Sequence, residues 1–383
     1  MARPGDIERG QEAFAAGKWG EAYARLSAAD RAGGLGADGL ERLAAAAYLV
    51  GRDAEALAVW TRLHHACIAH GEAPRAARAG FWLGLLLLLA GEQARASGWL
   101  ARIQRLLGGR AGDCVEGGYA EALVGLRALF AGDVATAGAA LERACACADR
   151  FGDADLMAIA LVGRGEALVQ AQDPGPGMVL LDEAMAGVSA GAVSPILAGI
   201  LYCAVLGTCE RALDLRRARE WTLELNEWCA RQPDLVPFRG QCLVHRAEVL
   251  QLQGEWPHAL EQAREAGRCL AERAEPAAGR AFYRCGELHR LRGEIEEAER
   301  MYELASRHGC DPQPGAALLR LAQGDARAAA VALRGVADFT PGRAAADPAR
   351  AKLLAPLVEI HLAAGDLDAA RVAADALADC ARL

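Results

Sequence analysis

The chain has 383 residues, a net charge of −8 and 53% hydrophobic residues, yet only 5% aromatics, so small apolar side chains carry its core. Lysine occurs only at Lys18 and Lys352 and no arginine run is long, which excludes a basic nucleic-acid-binding surface as the main function. The longest apolar run, Phe81–Ala90, is too short to span a bilayer, no charged-then-apolar leader opens the chain, and its 12 scattered cysteines suit the reducing cytoplasm better than a disulfide framework.

β-branched residues are sparse and no segment alternates as a strand would, so the fold class expected is all-α. Taken in order, the chain reads as helical hairpins at 7–31, 39–70, 75–107, 114–150 and 154–188, then at about 194–232, 238–269 and 280–309, a shortened one entered through Pro312 and Pro314, and a last one near 351–383. The turns fall at Gly17, Gly51, Gly91, Gly132, Gln172, Leu213, Gly254, Gly293, Gly324 and Gly365. A charged residue follows each turn position. A small one comes early in the second helix: Ala22, Ala56, Ala96, Ala137, Gly177, Ala218, Ala259, Ala298, Ala329 and Ala370. Most first helices carry a small residue at their middle, as at Gly10, Gly84, Gly125, Gly165 and Gly286. Small residues on both helices let two backbones approach closely, and a single hairpin of this kind cannot bury its apolar faces without copies on either side.

This register resembles the tetratricopeptide repeat (TPR), with a period of about 40 residues against roughly 34 in the standard repeat. The resemblance implies a right-handed α-solenoid of about ten TPR-like helical hairpins over 1–383, a single superhelical domain with sub-blocks 1–190 and 191–383. In such solenoids the first helix of each repeat, helix A, lines the concave face. Polar helix-A residues, with Arg239 from the preceding linker, are therefore the groove candidates: Tyr119, Arg164, Tyr202, Arg239, Gln241, His245, Glu248, Tyr283, Arg284 and Glu287. Their alternative is solvation or hydrogen bonding within the solenoid.

Other features carry less. His64, His65, Cys67 and His70 invite a metal reading, but nothing nearby in the sequence completes four ligands, so surface or interface histidines are expected and no metal. The arginines at 211, 216, 217 and 219, interleaved with Glu210, Asp214 and Glu220, read as a solvated face. Pro174 and Pro176 speak against a tight standard turn in the fifth hairpin. A glycine-rich loop is expected after residue 107, and the longest irregular segment at Ala337–Pro348. Val372, Leu377 and Leu383 leave apolar residues on the outer face of the last repeat, which points to a homodimer through that repeat or to further chain. There is no phosphate loop, nucleophile elbow, zinc-protease helix or dinucleotide fingerprint, so neither enzymatic activity nor a cofactor is expected.

Three segments have more specific wording: 77–107 (ARAGFWLGLLLLLAGEQARASGWLARIQRLL), 232–263 (QPDLVPFRGQCLVHRAEVLQLQGEWPHALEQA) and 282–325, which begins FYRCGELHRLRGEIEEAE. They resemble the helical-repeat region of bacterial LuxR-type transcriptional regulators. That implies a cytoplasmic sensor whose repeats bind a protein segment or a small molecule. In that family a DNA-binding helix-turn-helix follows the repeats, and this sequence ends without one, as a stand-alone relative or a piece of a longer regulator. A structural interaction scaffold and a protein that sequesters or modifies a small molecule remain the alternatives.

Overall fold

The computed structural model describes residues 5–232, 234–272, 277–334 and 348–382, the side chains at 110, 111, 239, 334, 348–351, 381 and 382 apart. The described residues form ten helical hairpins and no strand. The first five are α1 (Asp6–Ala15) with α2 (Trp19–Arg31), α3 (Ala37–Leu49) with α4 (Asp53–Ala69), α5 (Ala73–Leu89) with α6 (Gln93–Leu107), α7 (Val115–Phe130) with α8 (Val134–Phe151), and α9 (Ala154–Gln170) with α10 (Pro174–Ser189). The next five are α11 (Pro195–Arg211) with α12 (Leu215–Ala230), α13 (Arg239–Leu252) with α14 (Trp256–Glu272), α15 (Ala278–Leu291) with α16 (Ile295–Arg307), α17 (Gly315–Ala322) with α18 (Ala326–Arg334), and α19 (Pro348–Ala363) with α20 (Leu367–Arg382). The short α17 accounts for the closest pair of turns, Gly293 and Gly324, and most of the Ala337–Pro348 segment lies outside the described residues.

The ten turns are one motif. The residue at every turn position is left-handed, including the two that are not glycine, Gln172 (φ 67°) and Leu213 (φ 57°). The charged residue that follows donates its backbone N–H to a carbonyl in the last turn of helix A: Lys18 to Ala13 at 2.9 Å, Asp173 to Leu168 at 2.9 Å, Asp366 to His361 at 2.9 Å. This is a Schellman closure, which satisfies carbonyls that the helix end would otherwise orphan. The small residues early in helix B are buried in all ten hairpins. Mid-helix glycines on helix A are demanded by the partner: a Cβ on Gly84 would strike Leu123, and one on Gly165 would stand 2.8 Å from the backbone oxygen of Gly177. Gly177 is the one glycine among the ten small positions, and a Cβ on it would stand 2.8 Å from the backbone oxygen of Gly165.

Two expectations fail here. The fifth hairpin turns like the other nine, because Pro174 occupies the first position of α10, where a missing N–H costs nothing, and Asp173 precedes it. The glycine-rich segment after residue 107 is a 3₁₀ helix, Gly108–Asp113.

The chain divides into two compact units: 1–208 with 224–238, and 209–223 with 239–383. In the first, the apolar run of α5 is buried from Phe81 through Leu88, with Trp82 stacked on Trp60 (5.8 Å) and Phe81 edge-on to Tyr119 (4.7 Å). The segment 224–238 returns to the N-terminal hairpins. Trp19 Nε1–H donates to Gln232 Oε1 (3.0 Å), Gly20 N–H to Asp234 (3.2 Å) and Val236 N–H to the Leu49 carbonyl (2.9 Å). Phe238, itself left-handed (φ 68°), packs on Tyr48 and Trp228 and fills the space over Gly199.

The second unit is built from small apolar clusters. Ala247, Ala259, Ala263, Cys285 and Leu288 join α13, α14 and α15, and Leu354, Leu357, Ile360 and Ala373 hold α19 against α20. Leu377 packs on this last cluster rather than standing outside, since it shares the Ala373 face one turn on. Val372 is exposed as expected, and the side chain of Leu383 lies outside the described residues.

Candidate functional site

His245 and Glu248 are one helical turn apart on α13, and Arg280 and Arg284 are one turn apart on α15, so each pair shares a helix face. In the second unit these faces meet the end of α11 at Glu210. His245 Nδ1 and Glu210 Oε1 share a hydrogen bond of 2.7 Å, Arg280 donates to Glu210 Oε2 at 2.8 Å, and Arg284 holds Glu248 Oε1 at 2.6 Å while donating to Gln251 at 3.2 Å. His245 is 5% exposed, Glu210 16%, Arg284 18% and Glu248 19%, whereas Arg280 stands 49% exposed at the edge. Four mostly buried polar groups thus border solvent at one rim.

Burial opposes the charge on Glu210, but the hydrogen bond and charge of His245, joined by Arg280, outweigh it and hold the carboxyl well below the usual range. Burial likewise works against the charge of Arg284, and Glu248 more than restores it. One polar atom of each member of the Arg284–Glu248 pair is left over: Arg284 Nε and Glu248 Oε2 are buried and without a hydrogen-bond partner. Beside this cluster, Glu287 accepts from Tyr302 (2.5 Å) and Arg290 (3.0 Å), and burial raises the phenols of Tyr283 and Tyr302.

Of the sequence candidates, His245, Glu248 and Arg284 converge, with Tyr283 and Glu287 in the adjoining network and Gln241 half-buried in the first turn of α13. Arg239 opens α13, and its side chain lies outside the described residues. The remaining three belong to the first unit. Tyr119 is buried, with Arg78 stacked 3.7 Å over its ring and its hydroxyl on Asp153 (2.7 Å). Tyr202 is buried against Trp228, and Arg164 lies 3.8 Å from Glu142. Glu210 and Arg280 were missed. Glu210 is not part of a solvated face, because its partners come from α13 and α15 and not from its own helix; Asp214 with Arg217 is the local pair of that stretch. The register that matches His245 and Glu248 before Gly254 to Arg284 and Glu287 before Gly293 does not reach Glu210 or Arg280, so no signal in the sequence marked these two.

In the histidine-rich stretch of α4, His65 and His70 are exposed as expected, and His64 is not. His64 is neither surface nor interface but core. Its Nδ1–H donates to the Ala76 carbonyl (2.7 Å), its Nε2 accepts from Arg102 (2.8 Å), and burial lowers its pKa, with the backbone bond opposing and Arg102 assisting.

No family model matches the sequence, and no curated protein does. Solved structures similar to it include a Rap protein complexed with competence and sporulation factor (12% identity, TM-score 0.59, covering 90% of this chain and 96% of that one). Another is the apo form of RapI (11% identity, TM-score 0.51, covering 98% and 96%). At such identities the likeness is one of fold, and the fold is an all-α, TPR-like helical repeat. No helix among the described residues is long and apolar enough to cross a membrane.

Proposed function

We propose that this chain is a regulatory binding solenoid that takes a segment of a partner protein on the helix-A face of its second unit. The observation that carries this reading is the convergence of Glu210, His245, Glu248, Arg280 and Arg284 from three successive A helices, four of them largely desolvated, with a solvent-facing rim at Arg280. Paired donors and acceptors held in fixed positions suit an extended peptide, whose backbone offers both kinds of group in alternation. The similarity in fold to a Rap protein complexed with competence and sporulation factor supports a binding role. The wording of 77–107, 232–263 and 282–325, similar to that of the LuxR-type repeat region, supports a sensory one. On this reading the chain serves as the sensor part of such a regulator or as a stand-alone relative in the cytoplasm, and it is not an enzyme.

The test is selection of binding peptides from a random-sequence display library against the whole chain, followed by titration against Arg284→Ala and His245→Ala. Peptides that bind the native chain are expected to lose at least about tenfold in affinity to each variant, the effect of one desolvated charged contact. Peptides that bind both variants as tightly as the native chain would overturn the assignment of this face.

A further inference from the structure

We propose that Glu210, His245 and Glu248 form a binding site for a divalent transition-metal ion of the zinc class. One donor atom from each residue lies within 4.8 Å of the other two. Bonds of roughly 2.0–2.2 Å to nitrogen and oxygen bring the ligands of one zinc ion to about 3.3 Å apart, so the donor atoms must close by at most about 1.5 Å. One imidazole with two carboxylates is a donor set that borderline ions accept and that magnesium and calcium, which take all-oxygen shells, do not favour.

The division of labour among the carboxylate oxygens supports this. Glu210 gives Oε2 to Arg280 and turns Oε1 to His245. Glu248 gives Oε1 to Arg284 and keeps Oε2, which is buried and has no hydrogen-bond partner. Each arginine thus anchors the outer oxygen of one ligand and leaves the inner one for the cluster, as outer-shell groups do around metal centres. A buried carboxylate oxygen with no donor is costly and is relieved by a cation. His245 and Glu248, one turn apart on α13, would supply two ligands from one rigid face, with Glu210 closing from α11.

The two guanidiniums also set the strength. They already balance the two carboxylates, so the added ion is held less tightly than in a closed four-ligand site, and affinity rises with pH as protons leave the ligand atoms. The ion binds whether or not a partner segment docks on the same face.

The experiment is equilibrium dialysis of the whole chain against zinc alone, with the bound metal counted by mass spectrometry, on the native chain, His245→Ala and Glu248→Gln. Circular dichroism monitors folding. One zinc per chain, with affinity at least tenfold lower in each variant, is the expected result. No stoichiometric zinc, or zinc retained equally by both variants, overturns the site. Should a variant not fold, X-ray absorption on the native zinc complex decides. A shell of one imidazole nitrogen with oxygens upholds the site, and a shell containing sulfur, or none with nitrogen, refutes it. Peptide binding is not measured here, so zinc can fail while the partner reading stands, and the reverse.

Discussion

Both units tie successive A helices together with buried charge, and they spend it differently. In the first, Arg78 of α5 lies on the Tyr119 ring of α7 and bonds both Glu116 and Asp153 at 3.3 Å. Asp153 uses both oxygens, one on Arg78 and the other on the Tyr119 hydroxyl and on the Leu156 N–H that it caps. In the second, the Glu210–His245–Glu248 cluster keeps an acceptor in reserve at Glu248 Oε2 and reaches solvent through Arg280. A carboxylate whose oxygens are all bonded holds helices in register; one with an oxygen left over can also take a ligand.

The largest effects should come from removing the arginines. Arg284→Ala strands the Glu248 carboxylate in a mostly buried place and should cost about 3 kcal/mol in urea unfolding, together with peptide affinity. Arg78→Ala should cost about 2 kcal/mol and leave peptide affinity untouched. Equal losses of binding in the two variants would erase the distinction between the units. Next come the helix contacts of the first unit. Gly165→Ala drives a Cβ into the Gly177 backbone oxygen and should cost about 2 kcal/mol, whereas Gly138→Ala, whose Cβ meets open space on α8, should gain about 0.5 kcal/mol. A comparison of urea midpoints checks both signs.

A smaller effect is expected where 224–238 returns to the first hairpin. Gln232→Ala removes the acceptor of the Trp19 indole and should cost about 1 kcal/mol, with faster amide exchange at Val236 and a changed Trp19 fluorescence. Unchanged exchange at Val236 would mean that Asp234, Val236 and Phe238 hold the segment without the Trp19–Gln232 bond.

The gentlest probe is pH. His64 in the first unit has its pKa lowered by burial, so the unfolded chain binds the proton first. Its contribution is full above about 6.5 and is lost as pH falls below that. Glu210 in the second unit is held below its usual range, so its contribution is full above about 4.5 and is lost only in stronger acid. Thermal unfolding of His64→Gln should therefore lose the dependence just below about pH 6.5, and Glu210→Gln should keep it. A Glu210→Gln chain that flattens in the higher window instead would contradict the assignment.

The fold was legible because each hairpin is decided locally. A left-handed residue, a Schellman closure and an alanine or glycine early in helix B span a few residues each, and alanine cannot be exchanged for a larger residue where two backbones meet. Even Gln172 and Leu213, which lack the glycine signal, follow because the eight flanking repeats set the register. The site was half legible. His245, Glu248 and Arg284 show themselves as polar residues on A helices, but so do Tyr119 and Tyr202, and nothing local tells a bordering cluster from a buried one.

Glu210 illustrates why. Its partners lie 35 and 70 residues away, and nearer arginines in the sequence offered a more obvious pairing. The return of 224–238 onto Trp19 closes a separation of 213 residues. The sequence by itself determined the hairpins, their register and their small-residue seams, since these depend on backbone conformation and steric size within one repeat. Only the tertiary structure decided which charges meet, which oxygen is left unpaired and where a late segment folds back, since these depend on how successive repeats are offset from one another, an angle no single repeat encodes.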